Sequence, residues 1–142
     1  MLSKFQLFVV SLFASRVPTR MRPFSELSKV SVLIDSDARD AAPAEMEVRK
    51  YFSGKNMEVE VIGVGNKNKA RPDRNADMII SLLPEDSFWL EWQLRRSRAR
   101  FKAGRFQLQG DILDFVLSEN AEQKLPQLDY FREMEKIFEK TA

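Results

Sequence analysis

Two aspartates directly after a predicted strand have the residue type and the spacing that metal or phosphate chemistry needs. Residues 30–34 read Val-Ser-Val-Leu-Ile, a run typical of a parallel strand that is buried on both faces. Asp35 and Asp37 follow it, and Asp40 stands three residues further on. Ligands of open α/β sheets bind beyond the carboxyl ends of the strands, and Mg²⁺ prefers oxygen ligands. One interpretation is therefore an enzyme in which Asp35 and Asp37 are catalytic and bind Mg²⁺ together with Asp40.

A structural role explains the same aspartates and is the interpretation that we favour, because an aspartate after a strand commonly forms a turn or caps a helix. The strand with its Asp-x-Asp ending resembles the first motif of haloacid-dehalogenase-type phosphatases, and this resemblance implies phosphate chemistry with a bound cation. In that family a Thr or Val and an aliphatic residue follow the acids, whereas Arg39 and Asp40 follow here. The family's distant lysine and second acidic pair would fall on Lys102 and on Glu85 and Asp86.

The composition excludes several other kinds of site. The 142 residues include no cysteine and no histidine, so disulfides, thiolate metal centres and histidine-dependent triads cannot form. Gly63 and Gly65 follow a predicted strand, but the sequence has neither the third glycine of a dinucleotide site nor a Gly-Lys-Ser/Thr ending. Our leading prediction is a protein with no catalytic residue, metal ion or cofactor, and the Mg²⁺-dependent enzyme is the alternative.

Basic residues are concentrated at residues 61–110, which have ten bases and five acids, although the net charge of the chain is only +2. The densest run, R-R-S-R-A-R-F-K-A-G-R, covers residues 95–105. One interpretation is a solvated helix end followed by an edge strand that is protected by charge. The other is an anion-binding surface, which would also use the polar loop at residues 66–75. The anion-binding candidates are Lys67, Lys69, Arg71, Arg95, Arg96, Arg98, Arg100 and Lys102.

The first 14 residues, MLSKFQLFVVSLFA, are predominantly apolar. Their helical spacing predicts one contact face, and the run is too short to span a bilayer. The interpretations are a helix docked on this domain or on a partner protein, attachment to a membrane surface, and a signal peptide. Pro18 and Pro23 then mark a linker. The predicted contact residues are Phe5, Phe8, Val9, Leu12 and Phe13.

Strands and helices alternate along the rest of the chain. Further strands are predicted at residues 59–64, 78–83, 100–106 and 112–117, and helices at 43–54, from 86 or 87, and from 125 to the C-terminus. In the second helix Phe88, Trp89 and Trp92 are predicted to pack on the sheet, with Leu90 as a further candidate for the packed face. Stacking on single-stranded nucleic acid is the alternative for the tryptophans. The pattern predicts an α/β fold, as one three-layer domain with a mainly parallel, Rossmann-like or flavodoxin-like sheet of about four or five strands. This domain covers residues 26–142 and follows an N-terminal helical segment at 1–25.

Four blocks of sequence resemble a known family. They are RPFSELSKVSVLID at 22–35, ADMIISLL at 76–83, RARFKAGR at 98–105 and DILDFVL at 111–117. Their order resembles a family of small bacterial proteins of unknown function, which implies an α/β fold with a charged N-terminal segment and no assigned activity. Residues 76–104 also resemble part of the N-terminal half of heptosyltransferase-type glycosyltransferases, without the histidines or the second half of those enzymes.

These observations lead to a functional prediction. We predict a cytoplasmic, non-catalytic α/β module that binds an anionic ligand or another protein through the basic residues and the apolar N-terminal helix. Nucleic acid is one candidate partner. The second alternative, after the Mg²⁺-dependent enzyme, is a protein attached to a membrane surface by residues 1–14.

Overall fold

A computed structural model describes residues 27–65, 70–84, 87–105, 115–116 and 125–141. The strands are β1 (Lys29–Asp35), β2 (Glu58–Val64), β3 (Met78–Ser81), β4 (Phe101–Gly104) and β5 (Phe115–Val116). The helices are α1 (Ala41–Ser53), α2 (Phe88–Arg96) and α3 (Gln127–Thr141). The predicted N-terminal helix with its five contact residues lies outside the described residues, as do Lys67 and Lys69.

The five strands form one parallel sheet in the order β2-β1-β3-β4-β5. The chain passes from β1 outward to β2, returns to β3 on the other side of β1, and then continues outward through β4 and β5. The direction of winding therefore reverses between β1 and β3, as in flavodoxin-like sheets. The predicted α/β fold with a parallel sheet of four or five strands is confirmed.

Helices cover both faces of the sheet and make three layers. On one face α1 and α3 bury large side chains against β1, β3 and β4, because apolar residues recur along each helix at intervals of three or four positions. On the other face Leu90 and Leu94 of α2 pack against Leu33 and Ile79. The residues of α1 and α3 in the first layer include Val48, Phe52, Tyr130, Phe131, Met134, Ile137 and Phe138.

The packed face of α2 differs from the prediction. Phe88 is 87% exposed and Trp92 is 56% exposed, whereas Leu90 and Leu94 are buried. Trp89 is partly buried against the same cluster as the leucines. A helix turns about 100° per residue, so Phe88 and Trp92 share one side of α2 and Leu90 lies on the opposite side. The prediction that Phe88 and Trp92 pack on the sheet was wrong.

The position of β4 also corrects a prediction. The basic run was interpreted as a solvated helix end followed by an edge strand, but β4 lies between β3 and β5. Its Lys102 does not protect an edge. The Lys102 ammonium donates to the main-chain oxygen of Leu94 at 2.7 Å. It therefore binds a carbonyl at the carboxyl end of α2, where a cation is favourable.

Candidate functional site

A cavity of about 450 Å³ opens at the carboxyl ends of β1, β3 and β4. Asp35 ends β1, Pro84 follows β3, and Arg105 follows β4 directly. The cavity therefore lies beside the point between β1 and β3 where the sheet reverses its winding, which is where open α/β sheets bind ligands. Its lining residues are Asp35, Ala38, Arg39, Asp40, Pro84, Arg105, Leu125, Pro126 and Gln127.

The turn after β1 forms one wall of this cavity. A carboxylate oxygen of Asp35 accepts a hydrogen bond from the main-chain N–H of Asp37 at 3.0 Å, which is the geometry of a local aspartate turn. The N–H of Ser36 donates to the carbonyl of Val64 at 3.0 Å and ties the turn to β2. The turn-forming role that we favoured for Asp35 is confirmed.

Asp40 caps a different helix from the one expected. It precedes α1, but its side chain makes no capping hydrogen bond to that helix. One carboxylate oxygen accepts instead from the main-chain N–H of Leu128 in the first turn of α3 at 2.9 Å. The other accepts from the Gln127 amide at 3.1 Å. An acidic group at a helix N-terminus is favourable, so Asp40 holds α3 against the start of α1.

The Gln127 side chain also joins α3 to the end of β1. Its oxygen accepts from the main-chain N–H of Asp35 at 2.8 Å, and its nitrogen donates to the carbonyl of Asp35 at 2.9 Å. The residue is only 3% exposed. Gln127 therefore uses both ends of its amide to extend the hydrogen bonding of a strand beyond the sheet. Gln127 was not among the predicted site residues, because its partners lie far away along the chain.

A buried arginine closes the cavity on the opposite side. Arg105 is 4% exposed and donates to the carbonyl of Leu125 at 2.7 Å and, at the long distance of 3.4 Å, to that of Leu82. Its guanidinium carbon lies 4.5 Å from the centre of the Tyr130 ring, within the range of a cation–π contact. Arg105 belongs to the basic run, but it was not among the predicted site residues. The strand predicted from the sequence covers residues 100–106 and includes Arg105, so no pattern in the sequence marked it as a site residue.

The three aspartates do not form a metal-binding cluster. Among the described residues, no three Asp, Glu, His or Cys side chains are grouped so that they could hold a metal ion. Both oxygens of Asp40 accept from the start of α3. Asp37 lies next to Gly65, where a Cβ atom would be 2.9 Å from each carboxylate oxygen of Asp37. A Mg²⁺-dependent reaction that uses Asp35 and Asp37 alone stays a prediction.

Arginines collect at the amino edge of the sheet, opposite the cavity. The Arg74 guanidinium donates to the carbonyl of Arg96 at 3.2 Å, and the N–H of Arg98 donates to the carbonyl of Arg74 at 2.9 Å. The N–H of Arg100 donates to the carbonyl of Asp77 at 2.9 Å. These main-chain contacts place Arg74, Arg96, Arg98 and Arg100, which we call the arginine edge, next to one another. All but the half-buried Arg96 are exposed, as are the predicted candidates Arg71 and Arg95.

The acidic groups near the arginine edge have partners inside the protein. Asp73 accepts from the Lys29 ammonium at 2.6 Å, and this hydrogen bond lowers the pKa of Asp73. Asp77 accepts from the hydroxyl and the N–H of Ser28 at 2.7 and 2.9 Å. Those hydrogen bonds, the hydroxyl's first, lower the pKa of Asp77, and the charge of Arg100 adds to the effect. Both carboxylates are therefore ionised at neutral pH and bound to the amino end of β1.

The solvent face of α2 continues the arginine edge. Ser87 begins the helix by accepting from the N–H of Leu90 at 3.0 Å, at one of the two positions, 86 and 87, from which the sequence predicts the helix. Phe88, Trp92 and Arg95 then follow at spacings of four and three residues, which places them on one side of the helix. All three are exposed. Because α2 ends at Arg96, this face leads directly to the arginine edge.

Comparisons with known proteins found no relative of this chain. No family model, curated protein or solved structure matches it. The three resemblances noted in the sequence therefore rest on their motifs alone. Among the helices in the described part of the chain, none has the length and the apolar content needed to cross a membrane.

Proposed function

We propose that this protein is a non-catalytic module that binds single-stranded nucleic acid through the solvent face of α2 and the arginine edge. One observation carries the proposal. Phe88 and Trp92 are large aromatic side chains that α2 leaves exposed, and they share one side of the helix with Arg95. Within the broader class of anionic partners predicted from the sequence, this combination favours a ligand that offers both flat aromatic surfaces and negative charge.

The aromatic side chains and the arginines of this surface would bind different parts of a single strand. Unpaired bases stack on aromatic side chains, and each stacked base contributes about 1–3 kcal/mol. Arginines neutralise the phosphates between the bases and release the counterions that surround them. A double helix keeps its bases stacked inside, so it could use only the arginines. A protein partner would be expected to place acidic groups opposite Arg98 and Arg100 without needing the stacking.

Measuring the affinity of a labelled single-stranded RNA by fluorescence anisotropy tests the proposal. An RNA of about 16 nucleotides spans the upper site size of small single-strand-binding domains. The first test variant is W92A, which removes an exposed ring and leaves Leu90 and Leu94 in the core. The second is R98Q/R100Q, because the hydrogen bonds that hold these two residues use their main-chain N–H groups. The matched control is R49Q/K50Q, which removes the same charge from exposed positions on α1.

We expect R98Q/R100Q to weaken binding about tenfold and to lower the slope of log affinity against log salt by about 1.4, since each phosphate contact on a single strand contributes about 0.7. W92A should weaken binding by about tenfold, which corresponds to the loss of about 1.4 kcal/mol of stacking. The control should retain the affinity of the wild type. An equal loss in the control would show that only the total charge matters and would refute the proposal.

Two further results would also contradict the proposed surface. If duplex RNA binds as tightly as the single strand and W92A leaves both affinities unchanged, the aromatic residues have no role. If vesicles of anionic lipid bind the protein and the RNA does not, the exposed face of α2 is a membrane contact. Binding that discriminates between single-stranded and duplex RNA and depends on Trp92 supports the proposal.

A further inference from the structure

The cavity at the carboxyl edge lies at the opposite end of the sheet from the arginine edge, and none of the residues proposed to bind nucleic acid lines it. Its volume of about 450 Å³ lies in the range of about 300–1,000 Å³ found for sites that bind small molecules. It also lies at the reversal of the strand order, the usual ligand position in open α/β sheets. Size and position therefore agree on a small-molecule site.

The walls of the cavity are held in place by hydrogen bonds between separate elements. Gln127 and Asp40 fix the start of α3 to the end of β1 and to the start of α1. Arg105, directly after β4, is held to the carbonyl of Leu125, in front of α3. Gln127 and Arg105 are both more than nine-tenths buried. A ligand would therefore enter a site that already has its shape, which limits the conformational cost of binding.

Only some of the polar groups in the walls can turn toward a ligand. Asp40 and Gln127 use their polar atoms to hold α3. Arg39 is exposed and makes no hydrogen bond or ion pair with another described residue. Asp35 is half-buried and uses one carboxylate oxygen for the Asp37 N–H, which leaves the second oxygen as an acceptor. Arg105 contributes a buried positive charge to the opposite wall.

The charges of these groups define the chemistry of the ligand. Asp40 is partly neutralised by the N-terminus of α3, where a negative charge is favourable. Among the described residues, the lining therefore has two guanidinium groups, Arg39 and Arg105, and one carboxylate with an accepting oxygen, Asp35. An anionic group on a ligand would be attracted to the arginines. The ligand must also carry a hydrogen-bond donor, such as a hydroxyl group, to bind the accepting oxygen of Asp35.

We propose that this cavity binds a small hydroxyl-bearing organic anion, with its phosphate or carboxylate group at Arg39 and Arg105 and a hydroxyl group at Asp35. The site is independent of the proposed nucleic-acid surface. It also differs from the Mg²⁺-dependent enzyme alternative, because the binding needs no metal ion. Leu125, Pro84 and Pro126 supply the apolar part of the lining, which fits the carbon skeleton of such a molecule.

Titration of the uniformly ¹⁵N-labelled full chain, followed by two-dimensional amide NMR with EDTA present, tests this site. Ribose 5-phosphate and gluconate are the two probes, and they distinguish a phosphate from a carboxylate. Ribose and inorganic phosphate are the controls, since each has only half of the required chemistry. We expect at least one probe to cause saturable shifts of the amides at 35–42 and 127–128, and to bind more tightly than either control.

Substitution of the contact residues tests the assignment within the site. R39Q should weaken binding of the active probe about tenfold, the loss expected for one charge-assisted hydrogen bond. D35N retains one oxygen and adds an amide donor, so it should lower the preference for the probe over the control anion. R49Q, on α1, is the control and should bind as the wild type does. Arg105 is left unchanged because it is buried in the fold.

The proposal is overturned if neither probe gives saturable shifts, if R39Q binds the active probe as tightly as the wild type, or if inorganic phosphate binds as tightly as both probes. Shifts confined to the arginine edge would overturn it as well. The variant R98Q/R100Q separates the two proposals, because it should lose RNA affinity and keep the affinity for the active probe. Failure of one site then leaves the other unaffected.

Discussion

Replacing Glu135 with glutamine should remove most of the pH dependence of stability near neutral pH. Glu135 lies on α3 opposite Glu47 of α1, and one of its carboxylate oxygens is buried with no hydrogen-bond partner. The pKa of Glu135 is raised to about 8, first by burial and then by the hydrogen bond and the negative charge of Glu47. Glu139 also opposes ionisation, whereas Arg132 favours it.

The direction of the effect follows from comparing the folded and the unfolded chain. Folded Glu135 keeps its proton up to about pH 8, whereas the unfolded side chain releases it near its ordinary pKa of 4.5. The stabilisation is therefore complete below 4.5 and is lost as the pH rises toward 8. The free energy of unfolding should fall by at most about 1.4 kcal/mol per pH unit over this interval.

The free energy of unfolding should fall less steeply than this limiting slope, because the surroundings of Glu47 and Glu135 weaken the repulsion between the two carboxylates. An Arg132 nitrogen lies 3.9 Å from a carboxylate oxygen of Glu47 and compensates part of the negative charge. The Glu135 side chain is also only half-buried, so solvent screens part of the repulsion. We expect a total loss of about 2 kcal/mol between about pH 5.5 and pH 8.5.

Urea denaturation of the wild type and of E135Q at four pH values across that range tests this reasoning. The absence of histidine and cysteine leaves few other groups that titrate there. A glutamine amide can donate to Glu47 as the protonated acid does, so E135Q should be nearly independent of pH. E133Q, which interrupts the pair with Lys136 at 3.1 Å, is the control and should retain the slope of the wild type. Equal slopes for the wild type and E135Q would refute the reasoning.

Three further predictions concern contacts that hold the candidate sites in place. D40A removes the cap of α3 and should lower the free energy of unfolding by about 1–2 kcal/mol in urea denaturation, whereas an unchanged midpoint would show that the capping contact does not stabilise α3. G65A places a Cβ atom 2.7 Å from the Ser36 hydroxyl oxygen and 2.9 Å from the Asp37 carboxylate, but both groups end exposed side chains that can turn away, so the free energy of unfolding should change by no more than about 0.5 kcal/mol; a larger loss than in G54A, which has more room, would contradict this. K102M leaves the Leu94 carbonyl without its ammonium partner and should destabilise the protein by about 1 kcal/mol in thermal denaturation, and a melting temperature equal to that of the wild type would contradict this role.

The strands and helices could be predicted from the sequence because their patterns are local. Apolar runs such as residues 30–34 specify buried strands, and the recurrence from Leu125 to Phe138 specifies a helix with one packed face. The parallel sheet followed from the alternation of the two. The reversal of strand order between β1 and β3 could not be read in this way, since several orders are compatible with the same alternation.

The side chains of the candidate sites were harder to predict because their roles depend on distant partners. The capping role of Asp40 could be predicted, but the helix that it caps begins 87 residues later along the chain. The basic run was treated as one feature, whereas the fold divides it: Arg98 and Arg100 are exposed at the amino edge and Arg105 is buried at the carboxyl edge. A strand of four residues separates the two edges, and only its position in the sheet reveals the division.

The contacts of Gln127 have a consequence for the order in which the molecule is assembled. The hydrogen bonds from Gln127 to Asp35 join residues that are 92 positions apart, so they close one of the longest loops in the described chain. Contacts of this separation form slowly, because the chain entropy must be lost before the contact stabilises anything. During synthesis, β1 and α1 leave the ribosome well before α3. The wall that completes the cavity therefore forms only after α3 has emerged, and a molecule bound there would stabilise only chains that have been synthesised as far as α3.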